Sequence, residues 1–149
     1  MKLLAAALLM VISLAAACTA PGEPPEHPNR QDYRDLIRRE VTDTTSALAT
    51  ARLVVTYLGQ DRITRNYARA ILHQTTADLL RITTDLTQIH PPTPYVTPQH
   101  KLQTLTSDAA HDLRQLPRTW SDPGALTTAI TILTKDTNTA TRLTTQLLT

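Results

Sequence analysis

ITRNYARAILHQTTADLLRITTDLTQI, residues 63–89, decides the fold. Ala68, Leu72, Thr75, Leu79, Ile82, Leu86 and Ile89 recur in alternating steps of four and three. That spacing places one stripe along a helix and is the seam of left-handed helix packing. Asp61 precedes the run as a plausible N-cap, and His90-Pro91-Pro92 stops it, because proline lacks the N–H and restricts the residue before it. A helix from just after Asp61 to about Ile89 is predicted.

The flanking sequence repeats the pattern. Ile37, Val41, Thr44, Leu48, Ala51, Val55 and Leu58 step in the same way, so a helix is predicted over Arg30 to Leu58. Asn29 is its expected N-cap and Gly59 its expected terminator. A third, shorter helix opens at Thr97-Pro98, cap then proline, and closes near Leu116, with Leu102, Leu105, Ala109 and Leu113 inward. A fourth opens at Asp122-Pro123 and carries Leu126, Ile130, Leu133, Thr137, Ala140, Thr144 and Leu147. Short links join the first pair and the last pair, which makes each an antiparallel hairpin. The expected fold is all-α, an up-down-up-down four-helix bundle over 30–149. A three-helix bundle with the third helix lying across it is the alternative. Threonine is frequent in these helices and is a weak helix former, so they must rely on tertiary packing. The seam threonines Thr44, Thr75 and Thr137 either form a polar layer or serve as small residues whose hydroxyls bond back along the helix.

Chemistry is scarce. Gly22, Gly59 and Gly124 are the only glycines, which leaves no nucleophile elbow or phosphate loop. Past residue 29 the only glutamate is Glu40, so paired-glutamate and di-iron patterns have no residues to use. Catalysis is not expected, nor is a cofactor. His73, His90, His100 and the group Asp108, His111, Asp112 are the remaining metal candidates, but no spacing repeats and no ligand set converges, so no metal site is assigned. Asp78, Arg81 and Asp85 should form a surface ion-pair ladder.

The N-terminus carries a different message. Lys2, the apolar run Leu3 to Leu14 and the small residues Ala15, Ala16 and Ala17 have the layout of a signal peptide over 1–17. The run is shorter than the ~20 residues of a spanning helix. Leu14-Ala15-Ala16-Ala17-Cys18 resembles the lipobox of bacterial lipoproteins. The resemblance covers the first 18 residues and implies that Cys18, the sole cysteine, receives a diacylglyceryl group and becomes the first mature residue. Cleavage after Ala17 in ordinary secretion, leaving a free thiol, is the alternative. Loss of Lys2 takes the formal charge from +2 to +1, so bulk charge draws the mature chain to neither nucleic acid nor anionic lipid. The abundance of Ala, Thr, Leu and Arg resembles proteins of high-GC bacteria such as actinobacteria, in which a lipoprotein sits on the outer face of the cytoplasmic membrane. Thr19 to Asn29, with four prolines, is an extended tether within 18–29 reaching about 30 Å.

In an up-down bundle the first and third links share one end, remote from the lipid. Tyr57, Arg62, Arg65, Tyr67, Arg118 and Trp120 fall in or near those links. Aromatic residues and arginine are enriched at interface hot spots, so this tip is the candidate contact surface for an envelope protein or an anionic polymer. Alternatively, Trp120 caps the core and the arginines are solvated. Pro91 to Tyr95, at the opposite end, braces its turn. The expected function is a membrane-anchored, non-catalytic interaction module. An envelope metal-binding lipoprotein and a structural or stress-related one are the alternatives.

Overall fold

A computed structural model describes residues 30–148. The signal segment, Cys18, the tether and the Asn29 cap lie outside the described residues. Four helices run α1 Arg30–Gly59, α2 Arg65–Gln88, α3 Val96–Gln115 and α4 Pro123–Leu148. Single 3-10 turns, Thr93–Tyr95 and Leu116–Arg118, precede and follow α3. Each helix packs on its neighbours in the chain, α4 closes the ring against α1, and contact across the α1–α3 diagonal is sparse. This is the up-down-up-down four-helix bundle, and α3 is a full member of the ring rather than a crossing strut. None of the described helices is long and apolar enough to cross a membrane.

The seams explain the packing. All seven predicted seam residues of α1 and all seven predicted for α2 are buried. On α4, Ile130, Thr137 and Thr144 are only partly buried, and Leu143, off the predicted seam, is buried instead. On α3, Thr106 is fully buried while Leu105 is partly exposed. The core divides into a cluster toward the α1–α2 link, containing Leu48, Leu79, Leu113 and Leu133, and one toward Arg30, containing Ile37, Ile82, Leu102 and Leu147. Tyr33 and Tyr95, with ring centroids 5.0 Å apart, close the second cluster at its end. The brace expected of Pro91 to Tyr95 is thus an anchored 3-10 turn.

Polar demands are met locally. Thr44, Thr75 and Thr137 bond back to the carbonyls of Glu40, Ile71 and Leu133 at 2.7–2.9 Å. They make no seam-to-seam polar layer. Threonine-to-threonine contact between helices occurs instead off those positions, where Thr83 of α2 meets Thr106 of α3 at 2.8 Å. The buried Gln99 amide donates to the Leu86 and Ile89 carbonyls, each at 2.8 Å, and so satisfies orphan groups at the end of α2.

Three helix ends differ from expectation. α2 is capped by Thr64, whose hydroxyl accepts from the Tyr67 N–H at 3.2 Å, not by Asp61. Asp61 instead has φ 54°, the left-handed conformation expected of Gly59. The reason is in the hydrogen bonds: Arg62 N–H reaches the Tyr57 carbonyl at 2.9 Å and Asp61 N–H reaches that of Leu58 at 3.1 Å. This Schellman closure puts residue 61, not 59, at the left-handed position. α3 starts at Val96, one residue before Thr97, because the 3-10 turn feeds straight into it; Pro98 then sits in the first turn, where no N–H is required. The Asp122 cap is as expected, accepting from Gly124 N–H at 2.8 Å.

Two substitutions test this account. Leu79→Ala, in a fully buried site, should lower the unfolding free energy by about 2–5 kcal/mol in denaturant titration. Asp61→Gly should raise it by about 1 kcal/mol, since glycine enters the left-handed region without steric cost. A destabilised Asp61→Gly protein would contradict the assigned turn.

Candidate functional site

The distal end, opposite Arg30, is built by the Schellman turn. By returning the chain at Asp61 it sets the Arg62 guanidinium over the Tyr57 ring, 5.8 Å from the centroid, a cation–π contact. Thr64 then starts α2 and leaves Tyr67 on its outer face. Tyr67 is 57% exposed, Leu53 51% and Tyr57 37%. These three line one groove between α1 and α2, floored by Val54, Ile63 and Ile71 and enclosing about 690 Å³. Half of the large apolar side chains that the described residues expose stand here.

The groove continues toward Arg30. Thr50 and Ile71 are shared with a polar stretch bounded by Asp43, Gln74, Asp78 and Arg81. Arg81 forms the Asp85 rung of the predicted ladder and not the Asp78 rung. It pairs with Asp85 at 2.7 Å and reaches across to Asp43 of α1 at 3.0 Å. Asp78 accepts from the Gln74 amide at 3.0 Å and has no cation partner among the described residues. The Asp78 rung is missing because Arg81, at the α1–α2 boundary, turns to acceptors across the interface.

Those acceptors include Glu40, which sequence reading used only to exclude di-iron chemistry. Its side chain is completely buried, with Arg39 Nε and Nη2 donating to Oε1 at 3.0 and 2.9 Å. Arg81 lies 3.8 Å from Oε2, which has no hydrogen bond. Burial pushes the Glu40 carboxyl above its ordinary 4.5, and the hydrogen bond and charge of Arg39 oppose the rise. The one signal available was a charged residue directly before the seam residue Val41.

The six predicted tip residues separate into two surfaces and one outlier. Tyr57, Arg62 and Tyr67 meet at the α1–α2 groove. Arg65 and Trp120 line a second recess, of about 580 Å³, between the two distal links. Arg118 is exposed on the 3-10 turn after α3 and lines neither. Trp120 is 6% exposed and belongs to the distal core, with Arg69 stacked 5.7 Å from its ring. It is the core cap rather than an open contact residue, because the α3–α4 link carries it into the buried cluster that also holds Leu116 and Leu126. Its Nε1 has no hydrogen-bond partner.

The metal candidates do not converge. Among the described residues no group of three histidine, cysteine, aspartate or glutamate side chains could hold a metal ion. Asp112 and Asp136 line one cleft between α3 and α4 that His111 does not. Burial raises the Asp136 carboxyl above its ordinary value, and the charges of Asp112 and Asp108 add to the rise.

No protein-family model, characterised protein or solved structure matches this chain.

Two measurements follow. Glu40, with its native carboxyl raised, holds a proton more tightly in the folded than in the unfolded state. Its contribution to stability is full below pH 4.5 and is lost as pH rises through the raised native value. Glu40→Gln carries no such loss, so its melting temperature should gain on the wild type between pH 4.5 and 7, with the gap narrowing toward pH 4. A gap independent of pH would contradict the burial assigned to Glu40. Trp120→Ala should cost about 3–5 kcal/mol in denaturant titration. Trp120→Phe, which keeps the ring and removes the unpaired donor, should cost far less.

Proposed function

We propose that this chain is a lipid-anchored envelope protein that works as a non-catalytic interaction module. In this reading the signal segment directs export, Cys18 carries the lipid on the outer face of the cytoplasmic membrane, and the proline-rich tether holds the bundle clear of the headgroups. Two acyl chains anchor far more firmly than one, at ~0.8 kcal/mol per buried methylene. The observation that carries the interaction reading is the α1–α2 groove. Leu53, Tyr57 and Tyr67 are exposed together, although none of them belongs to a seam that closes the bundle. Exposed apolar side chains gathered in one groove mark contact surfaces. The groove reaches the distal end, where a partner in the envelope would meet the domain first.

The two halves of the proposal are tested separately. A palmitate analogue supplied to growing cells should label the wild type and leave Cys18→Ala unlabelled; equal labelling of both would overturn the anchor. A photo-crosslinking amino acid at Tyr67 should capture a discrete adduct in intact cells, whereas one at the exposed Thr131 of α4 should not. Equal patterns at the two positions would overturn the groove as the working surface.

A further inference from the structure

We infer that the α1–α2 groove seats a partner helix of about 14 residues, apolar along one stripe, acidic in its first turn and basic in its last. The inference rests on the interaction reading and specifies the partner's chemistry.

Length comes first. From Asp43 to Tyr57 the groove follows α1 for ~21 Å at 1.5 Å per residue, the length of a helix of about 14 residues. The walls come next. Leu53 and Tyr57 stand four apart on α1, Tyr67 and Ile71 stand four apart on α2, and Ile63 adds an apolar contact from the link before α2. Such ridges accept the i, i+4 ridge of a third helix laid between them. Both walls are helices, so the groove offers no sheet edge. An extended segment would leave its backbone groups unpaired against apolar side chains, whereas a helix satisfies its own.

Charge sets the direction. Arg62 stands at the distal end, held on the Tyr57 ring and without a carboxylate partner among the described residues. Asp78 stands at the other end without a cation, because Arg81 is engaged by Asp43 and Asp85. An occupant that complements both is acidic at the distal end and basic at the other. Helices prefer acidic residues in the first turn and basic ones in the last. The partner therefore enters with its N-terminus at Arg62 and runs parallel to α2. A second copy of this chain paired groove to groove would leave the groove unfilled.

The test uses the purified full chain in lipid nanodiscs, with empty nanodiscs as the blank. The probe is a fluorescein-labelled 16-residue peptide with leucine at i, i+4, i+7 and i+11, glutamate in the first turn and lysine in the last. Anisotropy should show saturable binding. A peptide with its charges exchanged should bind about tenfold more weakly, the effect of turning two solvent-exposed pairs from attraction to repulsion. The double variant Arg62→Glu/Asp78→Lys should reverse that preference. Tyr67→Asp should weaken binding at least tenfold, as expected at a central aromatic anchor. Equal binding of the two peptides, or none to either, would overturn the inference. So would a dimer in sedimentation that Tyr67→Asp abolishes, since the occupant would then be a second copy. If no peptide binds while the Tyr67 crosslink still forms in cells, the helix inference falls and the interaction reading stands; if neither occurs, both fall.

Discussion

Every helix of this chain has one stripe to bury, and only a closed ring of four buries all of them. That constraint determines the rest of the structure. α1 and α4 close the ring through an extensive interface, although they are farthest apart in sequence, so the short links alone cannot hold the bundle together. The helices are rich in threonine, which disfavours isolated helix formation. Helix and ring must therefore form together. The open ends of the ring are plugged by aromatic residues, Trp120 at one and the Tyr33–Tyr95 pair at the other.

Threonine serves this design because its polarity is disposed of within the helix that carries it. Along α4 the hydroxyls of Thr127, Thr131, Thr134, Thr137, Thr141 and Thr144 each bond to a carbonyl four residues back. What remains to face a neighbour is a methyl group. Glu40 is the exception to this local settlement. A carboxylate buried beside the seam needs help from another element, and Arg81 of α2 supplies it while also reaching Asp43. The same engagement withdraws Arg81 from Asp78 and leaves that carboxylate with the Gln74 amide and no cation among the described residues, at the polar end of the groove.

The fold was legible in residues 63–89 and their counterparts because burial follows a period, and a period survives in sequence. What was not legible depended on partners distant in the chain or on the path of a turn. Gly59 read as the terminator of α1 and Asp61 as the cap of α2, and which residue turns left-handed depends on which amide reaches Tyr57. Thr97-Pro98 read as a helix start because the preceding 3-10 turn leaves no periodic mark. Trp120 read either as a tip contact or as the cap of the core, since a link has no periodicity to place it. Tyr57, Arg62 and Tyr67 do converge, but on the α1–α2 groove rather than on a single tip with Arg65, Arg118 and Trp120. Leu53, which completes that groove, was missed because it lies off the seam, in a position that sequence reading treats as solvated.

That position is the center of the account. If Leu53 and Tyr67 do no work in the fold, their exposure calls for another explanation, and a contact surface supplies one. The most direct measurement is the unfolding free energy of Leu53→Gln/Tyr67→Gln by denaturant titration. Substitutions at exposed positions away from packing features change stability by about 0.5 kcal/mol each or less, so the double variant should stay within about 1 kcal/mol of the wild type. A loss of about 3 kcal/mol or more would show that these side chains are part of the core, and would contradict the claim that the α1–α2 groove is a surface kept open for a partner.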